Sequence, residues 1–326
     1  MTSRRPEAEW ATPYHAPVLV AEVLALLARG RSPSPDARWR VLDGTLGGGG
    51  HSAALVEAGA EVHAIDRDPE AIDAARARLA SAEAAGRFHA VPGNYADVDR
   101  LAPVAGLRFH GILLDLGISS HQIDDPARGF TFREGAPLDM RMAGGGDEGE
   151  GDAAALLNEA GERVLARVFR EYGDEPRAPR LAREVVRRRA TAPFATSDDL
   201  VRAIRGALGP RTGPADFARL FQAVRIAVND ELAGLERALP ALRDRLEPGG
   251  VLAVIAYHSG EDRLVKNALR EWSATCVCPP RQLVCSCRGR ALGELLTRKA
   301  VMAGEEETAR NPRARSARLR AWRSAE

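Results

Sequence analysis

Cysteine is scarce in this chain: among 326 residues there are four, and all of them fall between Cys276 and Cys287. A disulfide scaffold distributes its cysteines through the fold, so that class is excluded and a reducing, cytoplasmic setting is expected. No run of about 18 apolar residues is present to cross a bilayer. The first ten residues are polar and charged, without the apolar stretch of a secretory signal. Net charge is only +1, so composition by itself does not point to nucleic acid. No G-x-x-x-x-G-K-[ST] phosphate loop occurs, and no internal repeat is evident. What is present, 45% apolar and 28% charged residues, is ordinary for a globular protein of one or two domains.

The charge is unevenly placed. Nine arginines lie between Arg163 and Arg189 and six between Arg310 and Arg323. Such runs are commonly solvated helix faces or tails, and they become candidates for phosphate contact only when something else names RNA.

Short β-branched runs alternate with Ala-rich helical ones in the N-terminal part. Residues Trp39–Asp43, Glu61–Asp66, Arg87–Val91 and His110–Asp115 read as strands, and Gly50–Ala58 and Pro69–Ala80 as helices. This alternation predicts an α/β fold, a parallel sheet with right-handed crossovers. It stops after Asp115 for about a hundred residues. The glycine-rich break Gly144–Gly149 leads into Arg-rich helical sequence, with a helix start at Thr196-Ser197-Asp198-Asp199 and a stop at Gly209-Pro210. Apolar residues at Phe217, Leu220, Phe221, Val224, Val228, Leu232 and Leu235 then keep a helical period. Pro240 is expected to start a further helical piece, and Val251–Ala256 to be a buried strand. The expected organisation is a doubly wound sheet built from residues 1–122 and 214–326, interrupted by a helical insertion at 123–213.

The strand ending at Asp43 runs into Gly44-Thr45-Leu46-Gly47-Gly48-Gly49-Gly50-His51-Ser52. A loop of this kind, between a strand and a helix, lets a ligand lie against bare backbone N–H groups, and the first βα turn is where open α/β sheets bind nucleotides. The dinucleotide fingerprint started at Gly47 fails at Ser52. The pattern D-x-T-x-G-x-G is instead similar to the first motif of class I methyltransferases. In that motif Asp43 helps to hold the loop. Asp66 closes the second strand, where a carboxylate can accept both ribose hydroxyls of an adenosine, while Asp68 before Pro69 has the position of a helix N-cap. Asp115 ends the fourth strand beside the same crevice.

Further motifs follow in Asp115–Ser120, Arg128-Gly129-Phe130-Thr131-Phe132, Pro137–Met142, Phe221–Ile226, Tyr257-His258-Ser259 with Glu261-Asp262-Arg263, and Asn311–Ala317; His15–Leu19 precedes them. On these stretches, which cover nearly the whole length, the chain resembles the RsmH (MraW) family of ribosomal RNA small-subunit methyltransferases. The resemblance implies a class I Rossmann-like sheet with a helical insertion that recognises substrate. It also implies S-adenosyl-L-methionine as cofactor, and methylation of the exocyclic N4 of one cytidine in the decoding region of 16S ribosomal RNA within the small subunit. No membrane and no obligate protein partner are expected. Carried over by motif, the cofactor contacts are Gly49, Gly50, His51, Asp66, Tyr95, Asp115 and Gln122. Two residues depart from the family pattern: His121 stands where Pro is usual, and Gly260 where Leu is usual.

Cytosine N4 is a weak nucleophile because its lone pair is delocalised into the ring, so positioning and preorganised acceptors must carry the reaction. Asp115 is the candidate catalytic residue. His258 and Ser259, at the end of the Val251 strand, are further candidates, a structural histidine being the alternative. Gln222, Arg225 and Asn229 share one helix stripe, either exposed or lining the pocket. The basic segment Asn311–Arg323 is either solvated or bound to RNA phosphate. For Cys276-x-Cys278 and Cys285-x-Cys287, free thiols are the expectation and one zinc the alternative, since structural zinc sites more often use C-x-x-C; no metal is assigned.

Overall fold

The computed structural model describes residues 17–32, 38–144, 151–279, 281–282 and 284–326. His15 and Ala16 of the first motif, residues 145–149 of the glycine break and Pro280 lie outside them. The chain divides into two compact units, Met1–Gly117 with Ala233–Glu326, and Ile118–Leu232.

The first unit is a seven-stranded sheet of order β3-β2-β1-β4-β5-β7-β6. Its strands are β1 Arg40–Asp43, β2 Glu61–Asp66, β3 Phe88–Pro92, β4 Phe109–Asp115, β5 Leu246–Ala256, β6 Gly293–Leu295 and β7 Arg318–Ser324. Strands β1 to β5 pair in parallel. Helices α1 Val20–Leu27, α2 Gly50–Glu57 and α3 Pro69–Arg78 flank this part of the chain. Both sheet faces are covered, which is why the central strands β1, β4 and β5 are largely apolar. Val41, Leu113, Val251, Ala253 and Ile255 enter one core, and Leu42, Ile112, Leu114, Leu252 and Val254 enter the other. This is the period of two expected of a strand buried on both sides. Three neighbouring strands, β2, β1 and β4, end on Asp66, Asp43 and Asp115. The parallel sheet therefore sets three carboxylates along one edge.

The C-terminal basic segment is not a tail. β7 runs antiparallel to both β5 and β6, pairing Trp322 with Leu252 and Arg318 with Ala256. Leu319 and Ala321 are buried in one core and Trp322 in the other. Arg320 is not available to phosphate in this arrangement, since its guanidinium bonds both carboxylate oxygens of Asp262 at 2.6 and 3.2 Å. The arginines interleaved in R-L-R-A-W-R masked a strand whose alternate residues are buried.

In the second unit, α4 Ser120–Asp124 is followed by α5 Ala153–Glu159, α6 Glu162–Glu171, α7 Ala178–Arg189, α8 Ser197–Leu208 and α9 Pro214–Val228. Their shared core includes Leu157, Leu165, Phe169, Leu181, Val185, Leu200, Ile204, Phe217, Leu220, Phe221 and Val224. Thr196 and Asp199 form a capping box at the start of α8, and Gly209, at φ 99°, follows its end. The apolar stripe of α9 faces this helical core, so a helix expected with the sheet packs in the helical unit instead. α10 Glu231–Arg243 follows, with Pro240 inside one continuous helix rather than at the start of a new one.

Candidate active site

The loop after β1 is built around a buried carboxylate. Asp43 is fully buried; its Oδ2 accepts from Ser52 Oγ at 2.7 Å and its Oδ1 from the Thr45 N–H at 3.2 Å. Burial raises its pKa, while His51 and these hydrogen bonds pull the other way. The loop also bonds to its neighbours through Gly44 N–H to Leu113 O (2.8 Å) and Leu46 N–H to Ile65 O (2.9 Å). Two positions require glycine: Gly47 and Gly49 have φ of 49° and 75°, in the left-handed region. Gly49 precedes α2 without a side-chain cap, so no side chain hydrogen-bonds the first amides of that helix as a cap.

Asp66, at the end of β2, reaches back to this loop. Its Oδ2 accepts from Gly47 N–H at 2.7 Å and its Oδ1 from Asp68 N–H at 2.9 Å. Burial raises the Asp66 pKa to about 6 against the opposing pull of these two amides, and the charges of Asp68 and Asp43 push in the same direction as burial. A carboxylate has about four acceptor positions, so about two remain for a ligand. Asp68 is the N-cap of α3, accepting from Glu70 N–H at 3.1 Å. Tyr95 begins a short turn after β3, where Asn94 caps Ala96 N–H. Its Cβ would stand 3.3 Å from a Cβ placed on Gly44, which puts it beside the same loop.

Asp115 is the point of convergence. Its side chain is 7% exposed. Oδ1 accepts from the Tyr257 hydroxyl at 2.9 Å, Oδ2 lies 3.6 Å from His51 Nδ1, and the backbone N–H donates to Thr45 Oγ1 at 2.6 Å. His51 Nε2 lies 2.9 Å from Val18 O. A carbonyl only accepts, so Nε2 carries a proton and Nδ1 is the atom turned to Asp115. Burial, then the charge of Asp115, holds the Tyr257 hydroxyl well above its usual pKa, so it stays a donor.

Sequence reasoning missed Tyr257, Thr45 and Ser52 as site residues. The signal for Tyr257 was its place directly after a buried strand, but its partner is 142 residues away. Gln122 belongs to the helical unit. It closes a capping box with Ser119 and donates to Met142 O at 3.3 Å. His258 is an N-cap of α11 Ser259–Ser273; its Nδ1 faces Glu261 N–H at 3.4 Å and its Nε2 lies 3.1 Å from Glu261 Oε1. That is the structural alternative for this histidine. Ser259 is the first residue of the same helix. In the helical unit, Asn229 is buried and holds the 140–142 segment through Met140 O (2.7 Å) and Met142 N–H (2.8 Å). Arg225 pairs with Glu231 at 2.9 and 3.0 Å. Gln222 is partly buried.

The profile of the MraW methylase family matches residues 12–325. The chain belongs to this family. Among curated relatives, the ribosomal RNA small subunit methyltransferase H of Gemmatimonas aurantiaca is 64% identical over 312 residues, 96% of each chain. That of Anaeromyxobacter sp. (strain K) is 48% identical over 94% of this chain and 96% of its own. Of the solved structures, an rRNA methylase from Streptococcus thermophilus is 11% identical and covers 94% of both chains at a TM-score of 0.40. At that likeness the Rossmann-like assignment rests on this chain's own strand order and on its MraW methylase membership.

Proposed function

We propose that the chain methylates the exocyclic N4 of one cytidine in the decoding region of 16S ribosomal RNA, using S-adenosyl-L-methionine. Family membership and the names of the relatives support ribosomal RNA as substrate. The observation that carries the site assignment is the buried carboxyl of Asp115, which accepts from Tyr257 and faces His51 while its own backbone N–H is held by Thr45 Oγ1, beside a loop anchored by Asp43 and Asp66.

The residues fit the cofactor. The loop is open at the left-handed Gly47, where a Cβ would meet nothing within 4 Å, while Gly49 packs on Ala75 and Gly50 on Pro17, so a ligand would lie along the Gly47 side of the loop. Asp66 retains acceptors for ribose hydroxyls, and Tyr95 stands by the same loop at Gly44. The cofactor supplies an electrophilic methyl group for in-line displacement. The chain's own work is to hold the amine in line and to accept its N–H while the nitrogen pyramidalises. Asp115 is the acceptor. The Tyr257 hydroxyl, donating to Oδ1, fixes the orientation of the carboxyl, so little reorganisation is required during transfer. In this reading residues 118–232 recognise the RNA, and the exposed arginines of α6 meet phosphate.

The test uses small subunits from a strain lacking the gene, incubated with purified protein and S-adenosylmethionine. Nucleoside mass analysis should find N4-methylation at a single small-subunit cytidine. Asp115→Ala should lower the rate by about a hundredfold or more, the scale for removing one preorganised group. A methyl on a ribose oxygen, on cytosine C5, or in large-subunit RNA would overturn the substrate assignment.

A further inference from the structure

The segment between α11 and β6 is long and without helix or strand among its described residues from Ala274 to Leu292. It has little apolar support: Val277 is 40% exposed and Val284 77%. Unstructured loops of this length in compact domains are uncommon unless something holds them. All four cysteines of the chain lie here and converge. The Sγ atoms stand 3.9 Å apart for Cys276–Cys285, 3.8 Å for Cys278–Cys285, 3.5 Å for Cys285–Cys287 and 3.8 Å for Cys276–Cys287. All four fall within 4.8 Å of one another.

Two geometries bring thiols together, and they differ in scale. A disulfide needs sulfurs about 2.05 Å apart, and all four cysteines are free. Four thiolates around one metal at about 2.3 Å form a tetrahedron whose edges are about 3.8 Å. The measured separations match the second. The Val277 N–H points at Cys287 Sγ, 3.4 Å away, the kind of amide contact that supports a metal-bound thiolate. Outside the cysteines, the loop is pinned at its base. Arg288 donates to Glu271 O and Ala274 O, and Leu292 N–H bonds Trp272 O at 2.8 Å.

We propose that Cys276, Cys278, Cys285 and Cys287 bind one zinc ion. Four protein sulfurs close a tetrahedral site and leave no position for water or substrate, so its role is to hold this loop folded. It is remote from the candidate active site. Tyr257 precedes the first turn of α11 and the cysteines follow its last turn, and 15 helical residues span about 22 Å.

Metal analysis of the purified full chain should find about one equivalent of zinc, released when the thiols are titrated with an organomercurial. Cobalt substitution should produce the intense visible bands of a tetrahedral tetrathiolate site. The Cys278→Ser, Cys285→Ser double variant should lose the metal while retaining S-adenosylhomocysteine affinity by calorimetry. Stripping wild-type protein with a chelator should open the loop to trypsin at Arg281 and Arg288, and added zinc should protect it again, a readout that does not depend on the variant folding. Native protein with four freely titrating thiols and no bound metal would overturn the proposal. So would stoichiometric iron, or tryptic cleavage indifferent to zinc.

Discussion

Asp66 accepts two backbone N–H bonds before any ligand is considered, yet burial still raises its pKa to about 6. Between its unfolded value of 3.8 and about 6, the folded chain binds more protons here than the unfolded one. This group's contribution to stability therefore declines as pH rises through that window and is level above it. Ligand binding has the opposite sign. In the proposed site ribose hydroxyls would donate to the ionised carboxylate, so S-adenosylmethionine affinity should rise up to about pH 6 and then plateau. At pH 5 it should be about tenfold weaker, one pKa unit's worth. Calorimetry from pH 5 to 7.5 checks this, with Asp66→Asn expected to bind weakly and without the slope. An unchanged slope in Asp66→Asn would assign the titration to another group, Asp43 being the nearest candidate.

At the scale of elements, both arginine runs contain exposed and paired side chains: Arg187 and Arg188 of the first bond Glu184, and Arg313, Arg315 and Arg318 of the second are exposed. In α6, Arg163, Arg167 and Arg170 follow an i, i+4, i+7 pattern and are exposed, while Leu165, Val168 and Phe169 are buried on the other side. In β7, Arg320 pairs with Asp262 and Arg323 reaches Gly249 O at 3.2 Å. The first set is the better candidate for phosphate. Each contact adds about 0.7 to the salt slope for single-stranded RNA, so replacing all three with Gln should flatten log K against log [salt] by up to about 2 units. S-adenosylmethionine affinity should not change. Superimposable salt titrations for wild type and variant would show that these arginines are only solvated.

At the scale of the whole molecule, the sheet is completed by the chain's last strand. Trp322 is fully buried, packs edge-on to Trp272 at 5.3 Å between ring centroids and donates to Ser273 Oγ at 3.1 Å. Trp322→Ala should therefore destabilise the protein by about 3–5 kcal/mol, the usual scale for emptying a buried tryptophan site. Urea unfolding measures it, and a loss under about 1 kcal/mol would mean that β7 contributes little to holding the sheet.

Local chemistry made much of this molecule legible in advance. The βαβ alternation, the glycine loop with its two left-handed positions, and the aspartates closing β1, β2 and β4 follow from periodicity, turn propensity and the contrast between an apolar run and the charge that ends it. These features involve residues near one another in the chain. What only the tertiary structure decided are pairings across long separations: Tyr257 on Asp115, Arg320 on Asp262, α9 in the helical core, and β7 between β5 and β6. An arginine-rich segment reads as surface until its alternate residues are seen buried. A C-x-C pair is ambiguous until four sulfurs are found within 4.8 Å of one another. In each case the deciding quantity is a distance between segments that local propensity does not encode.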